Sequence, residues 1–292
     1  MRTAEDAYKE FKTKLNKLYN ASETDAIASL VLTDVTTLSK AHLKAFADTN
    51  LTAEQSEKLV SILKQLTTGM PVQYVLGHAF FYDLKFYVNP SVLIPRPETE
   101  ELVEWILQNA SKTSGLTILD IGTGSGCIPI TLKDKLPDSK LFAIDISTTA
   151  LETATFNATV NKVNVTFVEA NALHLIEPAI ANQKYDIIVS NPPYVTDADR
   201  HQMHHNVTGF EPHTALFVPD QDPLIFYIAI ASFATGHLKT NGLLFFEINE
   251  NYGPDTVNML VDKGFKNVEL RCDMAGKHRM VRAVWPEDKL HV

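Results

Sequence analysis

Alternating strand-like and helix-like segments from Thr117 onward predict an α/β protein on a parallel, doubly wound sheet, preceded by a small helical domain. Three observations carry that reading. Short apolar runs recur at 117–121, 140–146, 165–169, 185–190 and 242–248, and helix-length segments fill most of the gaps. Residues 1 to about 75 show helical spacing of apolar residues and no strand-like alternation. Between them, Phe80-Phe81-Tyr82 and Lys85-Phe86-Tyr87-Val88 flank Asp83-Leu84, the pattern of a β-hairpin connector. The expected boundaries are 1–78 for the helical domain, 79–98 for the hairpin and linker, and 99–292 for the α/β domain.

In chain order, Tyr8, Phe11, Leu15 and Leu18 recur at i, i+3, i+7 and i+10, one face of a helix. Thr52 and Gln55 have capping-box spacing at the head of a helix expected to run to Thr68, and Gly69-Met70-Pro71 ends it. Pro95 and Pro97 stiffen the approach to a helix through Trp105, with Pro97 in its first turn. Leu224 to Ala234 is the most apolar long stretch. It falls far short of the ~20 residues that span a bilayer and reads as a buried core helix. Val268–Arg271 and Arg279–Trp285 read as a terminal antiparallel hairpin.

The formal net charge is -9, and residues 1–80 hold nine basic and nine acidic side chains, so the excess acid lies wholly in the remainder. An acidic α/β domain argues against the phosphate neutralisation that drives most nucleic-acid binding. Cys127 and Cys272 are the only cysteines and form no paired motif. With no apolar leader after Met1, a reducing cytoplasm is the expected setting, and no membrane partner is expected.

Chemistry concentrates at two strand ends. Asp120-Ile121-Gly122-Thr123-Gly124-Ser125-Gly126 joins the first strand of the α/β domain to a helix, with three of the chain's 12 glycines in five residues. Such a loop permits a tight turn and close backbone approach to a ligand. Asp145 ends the next strand, about 20 residues on, where a carboxylate accepts ribose hydroxyls. A nicotinamide fingerprint needs the third glycine one residue later, so the spacing departs from it. It is similar to the S-adenosylmethionine loop instead. Asn171-Ala172 ends the third strand, where an adenine is expected, with Asn171 able to accept from the amine and donate to a ring nitrogen.

Asn191-Pro192-Pro193-Tyr194 follows the fourth strand. Two prolines remove two N–H donors and leave carbonyls as acceptors. Asn191 adds a side-chain acceptor and Tyr194 an aromatic face. A planar group bearing N–H bonds is gripped at its hydrogens and stacked on the ring, as alkylation of an amide or exocyclic amine requires.

This tetrapeptide after such a loop resembles amino-methylating enzymes, among them DNA adenine-N6 and protein glutamine-N5 methyltransferases. Ile94-Pro95-Arg96-Pro97-Glu98-Thr99-Glu100, Phe210-Glu211-Pro212-His213-Thr214-Ala215-Leu216 and Asp273-Met274-Ala275-Gly276-Lys277-His278-Arg279 resemble the release-factor glutamine methyltransferases, the HemK/PrmC family. With the helical domain, the resemblance covers nearly the full chain. Glu247-Ile248-Asn249-Glu250 departs from it, since relatives tend to carry glycine at Asn249. The resemblance implies a Rossmann-like class I methyltransferase domain that binds S-adenosylmethionine and no metal. It implies that Asp120, Gly122, Thr123, Gly124, Ser125, Gly126, Asp145, Asn171, Ala172 and Asn191 hold the cofactor. It further implies that Asn191, Pro192, Pro193 and Tyr194 bind the substrate, with Asn191, Pro192 and Tyr194 carrying catalysis. The implied partner is a class I peptide chain release factor, methylated on the glutamine of its Gly-Gly-Gln motif. Three alternatives stand beside it: a ribosomal-protein glutamine, a DNA adenine, or a cofactor-binding module without catalysis.

Other candidates have plainer readings. His201, His204 and His205 share helical spacing but lack the partners of a metal site, and residues 196–213 read as a flap over the substrate. Arg96 and Glu98 are expected either as an ion pair or at the edge of the site. Cys127 reads as a packing residue at the helix start.

Overall fold

The structure, a computed structural model, describes residues 1–110, 114–201 and 203–287. The chain forms two compact units, Met1–His78 with His204–Phe210, and Ala79–Met203 with Glu211–Val292.

The first unit contains α1 (Ala4–Leu15), α2 (Ala21–Thr36), α3 (Lys40–Ala45), α4 (Ala53–Leu66) and α5 (Val72–Leu76). Its core is built from Phe11, Leu15, Val31, Leu59 and Leu66, all fully buried. At the head of α4 the Thr52 hydroxyl accepts from the Gln55 N–H and the Gln55 side chain accepts from the Thr52 N–H, the reciprocal box that the spacing predicts. Helix α1 is shorter than its apolar stripe. It stops at Leu15, and Asn20 caps α2 by accepting from the Glu23 N–H, so the chain must turn in between. Leu18 lies in that turn and is exposed.

The second unit begins within a hairpin, β1 (His78–Phe81) and β2 (Leu84–Tyr87). Tyr82 and Asp83 take φ of 49° and 65°, the left-handed pair that a two-residue turn needs to match strand twist. There follow α6 (Pro97–Ala110), β3 (Thr117–Ile121), α7 (Cys127–Lys135), β4 (Lys140–Asp145), α8 (Thr148–Val160), β5 (Thr166–Glu169), α9 (Pro178–Ala181) and β6 (Tyr185–Ser190). Beyond the site come β7 (Val195–Thr196), α10 (Asp197–Arg200), α11 (His205–Thr208), β8 (Phe217–Val218), α12 (Ile225–His237), β9 (Leu238–Glu247), α13 (Gly253–Asp262), β10 (Lys266–Cys272) and β11 (His278–Val284). Among the described residues no helix is long and apolar enough to cross a membrane.

Seven strands form one sheet in the order β10-β11-β9-β6-β3-β4-β5. The five from β5 to β9 run parallel, and β11 and β10 add an antiparallel hairpin at the edge. Side chains alternate between two buried layers. Ile118, Ile187, Val189 and Phe245 face α6 and α7, while Leu119, Ile121, Ile188 and Phe246 face α12 and α13. Both faces are covered, so the strands are apolar throughout. β3 has β4 on one side and β6 on the other, so the winding reverses there and opens a crevice at the carboxyl ends.

Candidate active site

Parallel register fixes the site. Ile121 pairs with Ser190, so the residues that follow, Gly122 and Asn191, leave the sheet side by side. The Ser190 hydroxyl donates to the Ile121 carbonyl at 2.6 Å and ties the two strand ends together. A cleft of about 370 Å³ opens at this point. Gly122, Thr123, Gly124, Ser125, Asp145, Asn171, Ala172, Asn191, Pro192 and Pro193 all line it. Asp120, Gly126 and Tyr194 do not.

The glycine loop is held from below. The Gly122 and Thr123 N–H groups donate to the Ile144 carbonyl at 2.9 and 2.8 Å. The Gly124 N–H donates to Asp145 Oδ2 at 2.8 Å, and the Ser147 N–H to Oδ1 at 2.9 Å. Each Asp145 oxygen therefore keeps one acceptor position. Burial raises the Asp145 pKa and these backbone donors oppose the rise. Gly126 serves the helices instead. A Cβ there would stand 2.9 Å from Ile130 Cδ1 and 3.1 Å from Ala154 Cβ, so the bare backbone lets α7 approach α8.

Asp120 is wholly buried, and neither carboxylate oxygen has a hydrogen-bond partner. Burial pushes its pKa up to about 7; the Thr123 hydroxyl opposes this without closing a bond, and Asp145 adds to it. The Thr123 hydroxyl is likewise unpartnered. An orphaned carboxylate beside a loop whose Gly122 and Gly124 face open space suits a ligand that carries positive charge. S-adenosylmethionine carries it on both sulfur and nitrogen, so the residues present fit that cofactor.

Beyond the end of β5, Asn171 Oδ1 accepts the Leu173 N–H at 2.9 Å, which leaves its second lone pair and Nδ2 as the side chain's open groups. Two apolar residues that sequence reasoning missed line the same end, Ile146 and Leu173. Ile146 is 59% exposed directly after Asp145, and because exposure belongs to the fold, nothing in the sequence marked it.

The surroundings of Asn191 are more connected than the tetrapeptide suggests. Asn191 Nδ2 donates to Thr99 Oγ1 at 3.2 Å. Thr99 donates to Glu247 Oε2 at 2.6 Å. The Tyr194 hydroxyl donates to Glu247 Oε1 at 3.1 Å, and Asn249 Nδ2 donates to the Tyr194 carbonyl at 3.0 Å. Burial raises the Glu247 pKa, opposed by Thr99, Arg279 and Tyr194. Burial, reinforced by Glu247, raises the Tyr194 phenol well above its ordinary value.

Arg96 pairs with Glu211, not with Glu98, and Glu211 Oε2 also accepts the Ile94 N–H at 3.2 Å. Glu211 is buried, so this pair anchors the Pro95-Arg96 and Pro212 walls of the cleft to each other. His204 stacks on Tyr19 with ring centroids 5.9 Å apart, and His205 meets Phe210 edge-on, both inside the helical unit. Cys127 is buried, and burial pushes its thiol up to about 12, the wrong direction for a nucleophile.

Residues 99–208 match the methyltransferase small domain, and residues 6–77 match the PrmC N-terminal domain. A release factor glutamine methyltransferase of Flavobacterium psychrophilum is 45% identical, over 94% of this chain and 96% of its own length. One of Bacteroides thetaiotaomicron is 40% identical over 93% and 96%. Among solved structures, the hMettl16 catalytic domain superposes with a TM-score of 0.55 at 16% identity, covering 80% of this chain and 83% of that one. A methyltransferase from Pyrococcus furiosus gives 0.52 at 16%, covering 81% and 100%. These two share the fold. On the full-length likeness to the curated relatives, the chain belongs to the release factor glutamine methyltransferase family.

Proposed function

We propose that this chain transfers a methyl group from S-adenosylmethionine to the side-chain amide nitrogen (N5) of the glutamine in the Gly-Gly-Gln motif of class I peptide chain release factors. One observation carries the reading. Asn191, with Oδ1 free of any donor among the described residues, lines the same cleft as the glycine loop and stands beside the prolyl carbonyl of Pro192.

The family and the orphaned charge beside the loop support the cofactor. The backbone of Gly122 to Ser125 cradles its amino-acid end, Asp145 takes ribose hydroxyls in its open acceptor positions, and Asn171 and Ala172, with Ile146 and Leu173, receive the adenine. Asp120 sets the local negative potential from beneath the loop. The cofactor supplies a methyl group on a cationic sulfur, electrophilic enough for a weak nitrogen nucleophile. An amide nitrogen is weak because its lone pair is delocalised into the carbonyl. Asn191 Oδ1 and the Pro192 carbonyl accept its two hydrogens and so fix its direction. As positive charge develops on nitrogen both bonds strengthen, which is stabilisation confined to the transition state. The methyl–sulfur bond breaks as the methyl–nitrogen bond forms, S-adenosylhomocysteine leaves as a neutral thioether, and the N-protonated amide, a far stronger acid than hydronium, gives its extra proton to solvent. Pro193 completes the wall, and Tyr194, which does not line the cleft, is tethered to Glu247 and supports the turn from behind. The helical unit recognises the folded release factor, because a tripeptide alone offers too little surface for selection.

The test supplies labelled S-adenosylmethionine with a release factor, its Gln→Glu variant, a ribosomal-protein fraction and duplex DNA. Label on the intact release factor alone is expected. Label on DNA or ribosomal protein, or on nothing, rejects the reading. Asn191→Ala is expected to lower kcat by about 100-fold or more with the melting curve preserved; near-normal turnover would reject the assigned role.

A further inference from the structure

We infer that Glu247 and Thr99 are positioning residues: the Glu247 carboxylate, acting through the Thr99 hydroxyl, determines which way round the Asn191 amide stands in the cleft. The inference deepens the methyl-transfer reading above and rests on it.

The two ends of an asparagine amide have nearly the same shape and opposite hydrogen-bonding character. One orientation offers the cleft an acceptor. The other offers two donors, which would meet the N–H bonds of a substrate amide head-on. Asn191 itself does not choose, and its neighbours do. Glu247 is 1% exposed at the end of β9, and a carboxylate only accepts. The Tyr194 and Thr99 hydroxyls donate to its two oxygens at 3.1 and 2.6 Å. A hydroxyl has one proton. With that proton committed to Glu247, Thr99 Oγ1 can only accept towards Asn191, and it takes the Nδ2 hydrogen at 3.2 Å. Nδ2 is thereby turned to Thr99, and Oδ1 is left for the cleft. Arg279 opposes the burial that raises the Glu247 pKa, Glu98 reinforces it, and the raised Tyr194 phenol stays a donor. α6, the turn after β6 and β9 each contribute one link, so the polarity of the substrate site is written into the fold rather than into the tetrapeptide.

The arrangement is reversible in principle, and that gives a test a merely structural role would not pass. Glu247→Gln offers one acceptor and one donor in place of two acceptors; with Oε1 kept by the Tyr194 hydroxyl, Nε2 stands against Thr99, the Thr99 proton is freed for Asn191, and the amide turns so that Nδ2 faces the cleft. In the full-length enzyme, Thr99→Val is expected to lower kcat about ten- to a hundredfold, the rate equivalent of one misdirected buried hydrogen bond. The Kd for S-adenosylmethionine is expected to move by less than about threefold, and Thr99→Ser, which keeps the hydroxyl, to recover most of the rate. Glu247→Gln should lower kcat similarly. It should also make the Gln→Glu release factor, whose carboxylate accepts rather than donates, about tenfold stronger as a competitor than it is against wild type. Wild-type turnover in Thr99→Val, or a slow Glu247→Gln enzyme with unaltered discrimination, overturns the inference. A second measurement needs no substrate. The Asn191 side-chain amide hydrogens, followed by ¹⁵N NMR, are expected to exchange about tenfold faster in Thr99→Val than in wild type. Equal rates overturn the inference on their own, whereas a wild-type enzyme that labels no release factor defeats the functional reading instead.

Discussion

Asp120 sits wholly buried with two unpartnered oxygens, an arrangement that costs stability unless something cationic arrives. Its ordinary pKa of 3.8 is pushed up to about 7 by burial, so the folded chain holds the proton more tightly than the unfolded one. The corresponding stability is full below about pH 4 and is lost as pH rises through about 7. Asp120→Asn keeps the shape and removes the titration. Thermal melts of the ligand-free protein should therefore show the variant gaining on wild type from pH 5 to pH 8, by about several degrees; parallel curves would contradict the assignment. A cation near the loop favours the ionised form. The affinity for S-adenosylmethionine should then fall below pH 7, by at most about tenfold per pH unit, and Asp120→Asn should flatten that dependence in a calorimetric titration. Sequence alone singled out Asp120, Asp145 and Asn191 because each stands at or beside the carboxyl end of a strand, where open parallel sheets bind ligands. It gave no role to Thr99 or Glu247, because their bond joins residues 148 apart in the chain and only the fold brings them together.

At the scale of elements, what was readable depended on how local the cause is. The Thr52–Gln55 cap involves neighbours three apart, and the sequence shows it directly. Strands 117–121 and 185–190 match residue for residue, since turn residues or polar residues bound each apolar run. β9 starts at Leu238 rather than 242. Its pairing with β6 shifts register between Tyr185 and Ile187, and Asn241 adopts φ of 61°, an irregularity that hides the earlier half of the strand from any alternation pattern. Gly126 belongs to this scale too. Its φ is 81°, and Ile130 and Ala154 occupy the space a methyl group needs. Gly126→Ala should cost about 1–3 kcal/mol in urea unfolding through overpacking between α7 and α8. Gly122→Ala, with the same backbone sign but open space around it, should cost less. A reversed order would show that backbone strain, not helix approach, governs the loop.

At the scale of the molecule, the division of the chain into units does not follow sequence order. The stretch after the Asn191–Tyr194 turn leaves the α/β unit at Met203 and returns at Glu211, and in between it belongs to the helical unit's compact body. His204 stacks on Tyr19, and a Cβ at Gly69 would lie 3.7 Å from Phe210 Cε2. No sequence pattern predicts that assignment, because seven polar-to-mixed residues carry no periodicity of their own. It has a measurable consequence. Leu59 is fully buried in the helical core, and Leu59→Ala should destabilise that unit by about 2–5 kcal/mol. Hydrogen exchange in 204–210 should accelerate together with α1, α2 and α4, while β3 and β6 keep wild-type protection. If 204–210 instead tracks β3 and β6, the segment takes its stability from the α/β unit. Under the proposed function the same variant should raise KM for the release factor and leave the Kd for S-adenosylmethionine in place. The residues that line the cleft lie in the α/β unit alone, and the proposed recognition of the protein substrate rests on the helices.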